Sequence, residues 1–371
     1  MSKALLRVRE LGQSLWLDYI HRAMLSDGTL ARLIRDDGLG GMTSNPAIFE
    51  KAIAHGEEYA AAIAALASGR SAEQIYEAIA IEDVRAAADA FSTLHRETRA
   101  VDGYVSLEVS PHLAHDTAGT IDAARRLWGR VERPNVMIKV PGTRAGLPAI
   151  ERLIADGINV NVTLLFSVDR YGVVAEAWLR GLEMRLREHR PLAGIASVAS
   201  FFLSRIDTLI DQRLDQLAAA GNEQAAALRG RAAIASARLA YQHYRSWRFS
   251  ERWTRLAGAG AVPQRLLWAS TSTKDPAYPD VMYVDALIGP ETVNTVPLET
   301  LDAYRDHGKP QARLEEDLDA ARALPRQLAQ LDLDLERVAE QLEREGVEKF
   351  VTPYDSLLAT IEQQRRAIVS G

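Results

Sequence analysis

The feature that most constrains the fold is a regular alternation of short apolar runs with longer helical patterns along the 371 residues. The short runs have the length and the β-branched and aromatic content of strands. The strand candidates are residues 14–20, 40–45, 104–110, 135–140, 158–166, 195–202, 266–271 and 281–288. Helical patterns between them predict βα units and therefore a parallel sheet. Eight such pairs in a chain of this size predict an α/β fold of the (β/α)8 TIM barrel type.

Two stretches are longer than a regular βα repeat. Residues 50–100 predict two or more extra helices between the second and third strands. Residues 311–370 are charged and helical in pattern, and they predict an appended tail. This tail either packs over the barrel mouth or forms an oligomer contact. No repeat, linker or composition break marks a second domain, so we expect residues 1–371 to form a single barrel domain.

Composition and charge limit the classes of partner. A net charge of −6 and a pI near 5.8 argue against a nucleic-acid or anionic-membrane partner. No apolar stretch approaches the roughly 20 residues that a membrane helix needs, and the N-terminus lacks the apolar core of a signal peptide. The chain contains no cysteine, which excludes disulfides and thiol catalysis. We therefore expect a cytoplasmic protein with neither nucleic acid nor membrane as a partner.

A lysine lies inside the fourth strand candidate, NVMIKV, although only six of the 44 basic residues are lysine. Burying the ammonium of Lys139 is costly, so its position requires an explanation. Alternation along the neighbouring strands turns Glu108, Asn161 and Thr163 into the barrel, and Lys139 could join them. Further polar residues near strand ends are Asp18, Asn45, Ser200 and Asp285. Because barrel enzymes build their sites at the C-terminal strand ends, this polar layer predicts a site there.

Two interpretations of Lys139 follow from the residues alone. Burial disfavours the charged ammonium, so a neutral amine becomes available to attack a carbonyl and form a Schiff base. A carboxylate such as Asp18 or Glu108 would then move protons between substrate, water and the carbinolamine. The alternative is a structural ion pair between Lys139 and one of these carboxylates. Asn45 likewise has a second interpretation, because the SNP tripeptide is an ordinary turn and helix-start signal.

Other motifs give weaker indications of a metal, cofactor or anion site. His112, His115 and Asp116 have a spacing that mimics a metal site, but no third well-spaced ligand accompanies them. Neither a P-loop nor a dinucleotide-binding glycine motif occurs, so we expect no cofactor and no metal. For an anionic substrate, the candidate cations are Arg205 after the sixth strand and Lys274 after the seventh.

Seven motifs together resemble the transaldolase family, and in particular its longer bacterial form. The motifs are GMTSNPAIF, VSLEVSP, VMIKVPGT, INVNVTLLFS, SVASFFLSRID, LLWASTSTKDPAY and ALIGPETVNTVP. They follow the family's order from roughly residue 12 to residue 310. The resemblance implies a (β/α)8 barrel enzyme of the pentose phosphate pathway that works through a Schiff base. Such an enzyme moves a dihydroxyacetone unit between sugar phosphates, interconverting sedoheptulose 7-phosphate plus glyceraldehyde 3-phosphate with erythrose 4-phosphate plus fructose 6-phosphate.

The resemblance also implies roles for the catalytic residues. Lys139 resembles the Schiff-base lysine of the family. Asp18 matches the aspartate of the first strand, which is the acid/base at the C4 hydroxyl. Glu108 and Thr163 match the pair that holds the catalytic water and relays protons to the forming imine.

For substrate binding, the resemblance implies a second group of residues. The residues that match the groups hydrogen-bonding dihydroxyacetone are Asn45, Asn161 and Ser200. Phe202 occupies an aromatic position that limits proton delivery to the intermediate, and Arg205 resembles the first phosphate-binding arginine. The shorter forms carry a second phosphate arginine where this chain has Ser272. We expect Lys274, two residues later, to supply that charge.

Three alternatives remain open at this point. A Schiff-base aldolase would protonate the intermediate and release dihydroxyacetone, whereas a binding barrel would hold sugar phosphates without catalysis. A helix-rich scaffold would leave the eight strand-like runs unexplained. The expected partners are sugar phosphates, and the sequence does not distinguish a monomer from a homodimer.

Overall fold

The computed structural model describes residues 3–370, and in them eight parallel strands close into a barrel in sequential order. The strands are β1 (Gln13–Asp18), β2 (Gly41–Thr43), β3 (Tyr104–Glu108), β4 (Val136–Pro141), β5 (Val160–Leu165), β6 (Ser197–Phe202), β7 (Arg265–Ala269) and β8 (Thr292–Val296). Each strand pairs in parallel with the next, and β1 closes the barrel against β8. The predicted (β/α)8 barrel is therefore confirmed.

Helices connect the strands and continue beyond the last one. They are α1 (Lys3–Glu10), α2 (Arg22–Ser26), α3 (Thr29–Asp36), α4 (Pro46–His55), α5 (Glu57–Leu66), α6 (Ala72–Glu97), α7 (Thr117–Val131), α8 (Gly146–Asp156), α9 (Val168–Arg187), α10 (Ser204–Ala219), α11 (Glu223–Ala227), α12 (Ala232–Arg248), α13 (Glu251–Gly258), α14 (Met282–Ala286), α15 (Leu298–His307), α16 (Leu318–Ala329) and α17 (Leu335–Ser370). A 3-10 turn, Pro111–Leu113, precedes α7. The extra helices predicted after the second strand are α4, α5 and α6, and α16 and α17 form the predicted helical extension.

The eighth strand candidate, residues 281–288, was wrong. Residues Met282–Ala286 form the short helix α14, and the eighth strand is Thr292–Val296. The run VMYVDALI is rich in β-branched and aromatic residues, but its buried positions Val281, Val284 and Leu287 are spaced by three residues. That spacing places one apolar face of a helix against the barrel. Asp285 consequently lies on α14, where its carboxylate accepts a hydrogen bond from the backbone N–H of Lys309.

The lower half of the barrel is filled by large side chains. The indole of Trp16 packs against the ring of Tyr104, with 6.3 Å between the ring centroids. Gly41 makes room for this layer, because a Cβ there would lie 2.6 Å from the Trp16 ring. Beneath it, Arg265 and Asp102 form an ion pair at 3.2 Å. A second group of polar side chains lies above this layer, nearer the C-terminal strand ends.

The register of three strands brings polar residues side by side. Glu108 of β3 lies opposite Lys139 of β4, and Lys139 lies opposite Asn161 of β5. Thr163 lies two residues further along β5, opposite Pro141. Residues at the same level of adjacent parallel strands are neighbours about 4.8 Å apart. The pairing therefore gathers these groups around one lysine.

Candidate active site

The amino group of Lys139 is buried at the centre of the polar layer. The residue is only 5% exposed, and its Nζ donates a hydrogen bond of 2.9 Å to the backbone carbonyl of Ser44. The carboxylate of Glu108 lies 3.3 Å away from the same Nζ. The amine thus has one neutral acceptor and one carboxylate beside it.

Glu108 occupies a costly environment for a charged group. Burial raises the pKa of its carboxyl, while the nearby charge of Lys139 acts in the opposite direction. Its Oε2 is the oxygen that lies 3.3 Å from Nζ of Lys139, and among the described residues it accepts no well-aligned hydrogen bond. This oxygen can therefore also accept a hydrogen bond from a substrate hydroxyl or a water molecule.

Asp18 is the last residue of strand β1, and it lines the same cavity as Lys139. Burial raises the pKa of its carboxyl, and Lys139 and Thr43 oppose that effect. The hydroxyl of Thr43 donates a 2.6 Å hydrogen bond to Oδ1 of Asp18 and lies 2.8 Å from the hydroxyl of Thr295. Asp18 is therefore held by the hydroxyl of Thr43, which in turn contacts the hydroxyl of Thr295.

The amide of Asn161 is fixed by two serine hydroxyls. Its Nδ2 donates to Oγ of Ser106 at 3.0 Å, and Ser200 donates to its Oδ1 at 2.7 Å. These contacts fix the position of the amide in the barrel wall. By contrast, Oγ1 of Thr163 is buried and has no hydrogen-bond partner in the part of the chain that the structure describes. This hydroxyl remains able to bind a substrate atom or water.

Asn45 serves both the fold and the cavity. It is the N-cap of α4, and its Oδ1 accepts a hydrogen bond of 3.0 Å from the backbone N–H of Ile48. The helix-start interpretation of the SNP tripeptide is thus correct for the amide oxygen. Asn45 also lines the cavity, where its amide NH2 group remains as a donor.

Cations and an aromatic ring lie at one end of the cavity. Arg205 is in the first turn of α10, and its guanidinium carbon lies 5.4 Å from the ring centroid of Phe202. Its Nη1 is buried without a hydrogen-bond partner in the described part of the chain. Lys274 is exposed, and its Nζ donates a 2.6 Å hydrogen bond to Oγ of Ser272. The lysine charge therefore lies beside the hydroxyl of Ser272.

The structure brings eight of the sequence-predicted residues into a single cavity of about 220 Å³ at the C-terminal strand ends. The predicted residues that line it are Asp18, Asn45, Lys139, Thr163, Ser200, Phe202, Arg205 and Lys274. Glu108 and Asn161 flank Lys139 on the two adjacent strands. Only Asp285 among the polar strand-end residues lies elsewhere, for the reason given above.

The lining residues that sequence reasoning missed include Thr43, Thr295, Glu299 and Phe350. Thr43 had a usable signal, because it precedes Asn45 by two residues and alternation places both on one side of the chain. Thr295 was lost with the misplaced eighth strand. Phe350 belongs to α17, and nothing in its local sequence indicates that it reaches the barrel.

The histidine motif has structural contacts instead. His112 lies 2.7 Å from the carboxylate of Asp355 on α17, and Asp116 caps α7 by accepting a hydrogen bond from the backbone N–H of Gly119. Within residues 3–370, no group of three or more potential ligands has a metal-binding arrangement. In the same range, no helix is long and apolar enough to span a membrane.

This arrangement supports covalent amine chemistry. A buried amine can form an imine with a carbonyl, and two carboxyls whose pKa values are raised by burial can both take up and return protons. Hydroxyl and amide groups at the cavity wall suit a polyhydroxylated substrate, and the cations suit an anionic end.

Comparison with known proteins gives a consistent result. Residues 15–361 match the family model described as Transaldolase/Fructose-6-phosphate aldolase. A transaldolase 2 of a Nostoc species is 48% identical over 367 residues, covering 96% of each chain. Transaldolases of Thiobacillus denitrificans and Thermobifida fusca are 49% and 48% identical, covering 95% and 99% of this chain and 98% and 100% of their own. The family match extends past residue 310 and includes most of α17.

Proposed function

Because this chain belongs to the transaldolase/fructose-6-phosphate aldolase family, we propose that it is a transaldolase that uses Lys139 as its nucleophile. The reaction transfers a dihydroxyacetone unit from sedoheptulose 7-phosphate or fructose 6-phosphate to an aldose phosphate. One observation carries the proposal: the buried Nζ of Lys139 lies 3.3 Å from the Glu108 carboxylate. The same lysine shares a cavity with Asp18 and Arg205.

The first step forms the imine. Glu108 takes a proton from the ammonium of Lys139, and the resulting neutral amine attacks the C2 carbonyl of the donor sugar. A proton then passes from the nitrogen to the new alkoxide, which gives the carbinolamine. The raised pKa of the Glu108 carboxyl suits it to return a proton when the carbinolamine loses water. Thr163, whose hydroxyl has no protein partner, holds that water beside Glu108.

The second step breaks the C3–C4 bond. Asp18 accepts the proton of the C4 hydroxyl, the aldose leaves as an aldehyde, and the bonding electrons remain on C3. The protonated imine at Lys139 delocalises these electrons as an enamine. The amide groups of Asn45 and Asn161 and the hydroxyl of Ser200 hydrogen-bond the retained hydroxyls.

Transfer reverses these steps on a second aldose phosphate. C3 of the enamine attacks the new aldehyde, Asp18 returns the proton to the resulting alkoxide, and hydrolysis of the imine releases the product ketose. Arg205 and Lys274 bind the phosphate of donor and acceptor in turn. Phe202 packs beside Arg205 and keeps protons from reaching the enamine.

We also propose that the enzyme acts in the cytoplasm, in the non-oxidative pentose phosphate pathway, with sugar phosphates as its partners. The bacterial relatives named transaldolase support the pathway. The absence of cysteine is in keeping with a reducing compartment.

Borohydride trapping tests the nucleophile. The protein is incubated with fructose 6-phosphate, reduced, digested and analysed by peptide mass spectrometry. We expect one reduced dihydroxyacetone adduct on the peptide that contains Lys139, and none in Lys139→Met. An adduct on another lysine, or none on folded protein, would overturn the assignment.

A second assay separates transfer from simple cleavage. With fructose 6-phosphate and erythrose 4-phosphate, a transaldolase forms sedoheptulose 7-phosphate and releases little free dihydroxyacetone. An aldolase would release dihydroxyacetone at the same rate with or without the acceptor. The latter result would replace the transferase proposal while leaving the Schiff base in place.

A further inference from the structure

The C-terminal helix α17 crosses the open end of the barrel and is held on several sides. Arg213 of α10 donates a 2.6 Å hydrogen bond to Gln341, and Arg170 of α9 pairs with Glu343 at 3.1 Å. Further along, α17 packs against α4 and α6. These contacts fix the helix over the cavity from opposite directions.

A close approach brings α17 down onto strand β5. A Cβ at Gly346 would lie 2.9 Å from Cδ2 of Leu164, so only glycine fits at this crossing without a shift. Leu164 has a φ of +62°, a conformation that is unfavourable for a bulky side chain. It lies in the irregularity of β5 between Val162 and Leu165, directly after Thr163. The strained strand end thus positions Leu164 beneath the helix.

One turn after Gly346, Phe350 is directed into the catalytic cavity. Its side chain is buried, with 6% exposure, and it lines the same cavity as Asp18 and Thr163. The centroid of its ring lies 5.9 Å from Nζ of Lys139 and 5.9 Å from the guanidinium carbon of Arg205. The ring therefore lies between the group that would bind the carbonyl carbon and the group that would bind phosphate.

We propose that Phe350 is an apolar roof that keeps water away from the enamine and thereby sets the ratio of transfer to hydrolytic release. This inference rests on the proposed transaldolase function. Phe350 lies on an element outside the barrel, far in sequence from Phe202. Together the two rings flank Arg205 at 5.4 and 5.9 Å, so apolar groups border the cavity at both places.

The competing reaction has a defined chemistry. A water molecule that reaches the enamine gives its proton to C3, where the enamine electrons form a C–H bond. The hydroxide left behind adds to the C2 carbon of the protonated imine, and the C–N bond then breaks. Free dihydroxyacetone leaves and the amine of Lys139 is restored. An aromatic side chain above the enamine occupies the space that this water needs.

The test compares Phe350→Ala with wild type in three assays: borohydride trapping, transfer to erythrose 4-phosphate, and release of free dihydroxyacetone. We expect the Lys139 adduct to form in the variant, while the ratio of release to transfer rises about tenfold. Phe249→Ala is the matched control, because Phe249 is 71% exposed and should leave the ratio unchanged.

The outcomes distinguish this inference from the proposed function. An intact adduct with an unchanged ratio in Phe350→Ala overturns the roof but not the Schiff base. Failure of wild type to form the adduct overturns the proposed function itself. If Phe350→Ala does not fold, the ratio of release to transfer is measured in Phe350→Leu instead. Leucine retains an apolar side chain on α17 but is smaller than the aromatic ring, so it covers less of the cavity. An unchanged ratio there also overturns the roof.

Discussion

Thr43 donates a 2.6 Å hydrogen bond to Oδ1 of Asp18, and its own oxygen lies 2.8 Å from the hydroxyl of Thr295. A hydrogen bond to the ionised form of a carboxyl favours ionisation, whereas burial opposes it. Burial is the larger influence on Asp18 and raises its pKa. The ability of Asp18 to act as a base thus depends on a neighbouring hydroxyl.

Replacing Thr43 by valine preserves the shape of the side chain but removes the donor. We expect the pKa of Asp18 to rise further, so the acid limb of the kcat profile moves to higher pH. On this acid limb the loss of kcat should be about tenfold, the size expected for one hydrogen bond to a charged group. Thr295→Val is the control, because Thr295 contacts Thr43 and not Asp18. A profile of Thr43→Val that coincides with wild type would contradict this role.

Glu108→Gln tests proton transfer during imine formation. The glutamine retains the size of the side chain but cannot take up a proton from Lys139. We expect the rate of adduct trapping to fall about 100-fold, a typical contribution of general acid–base catalysis. The adduct should still form on Lys139 after long incubation. Glu299→Gln, at the exposed rim of the cavity, should trap at close to the wild-type rate; equal rates in both variants would exclude Glu108 as the proton acceptor.

Lys274→Ala tests the second phosphate contact. Because the charge binds ground state and transition state alike, we expect the KM for fructose 6-phosphate to rise about tenfold with little change in kcat. Adding Ser272→Arg to this variant should restore the KM, because Ser272 lines the same cavity and contacts Lys274, so arginine there returns a positive charge to the same place. Lys309→Ala serves as a control for loss of one positive charge. An unchanged KM in Lys274→Ala would remove Lys274 from the phosphate site.

Asp207 should make stability depend on pH. Burial raises the pKa of this carboxyl to about 7, although Ala233 and Tyr283 donate hydrogen bonds to it. Between pH 4 and 7 the unfolded chain releases the proton while the folded protein retains it. The free energy of unfolding therefore falls as pH rises through this window, by up to about 4 kcal/mol, and is level above it.

Urea unfolding at several pH values measures this effect. We expect Asp207→Asn to lose the decline between pH 4 and 7, so the variant gains stability relative to wild type as pH rises. Asp215→Asn is the matched control, because Asp215 is exposed and pairs with Arg229 at the surface. Parallel pH curves for wild type and Asp207→Asn would show that Asp207 carries no such linkage.

Much of the candidate site could be predicted because strand alternation is a local property. The period of two places Glu108, Asn161 and Thr163 on one side of their strands whatever the rest of the chain does. Parallel pairing then brings Lys139 between Glu108 and Asn161. The same reasoning failed for residues 281–288, because β-branched composition outweighed the three-residue spacing that fits a helix. A strand and a short buried helix have similar composition, so only packing separates them.

The sequence by itself determined the number of βα units and identified Lys139 as a lysine whose burial is energetically costly and points to a function. The tertiary structure alone decided that Thr43 holds Asp18 and that Phe350 lies above Lys139. These relationships join residues 25 and 211 positions apart. Such distances are set by barrel closure and by the crossing of α17 at Gly346, which depend on packing between whole elements. No local period in the sequence carries that information.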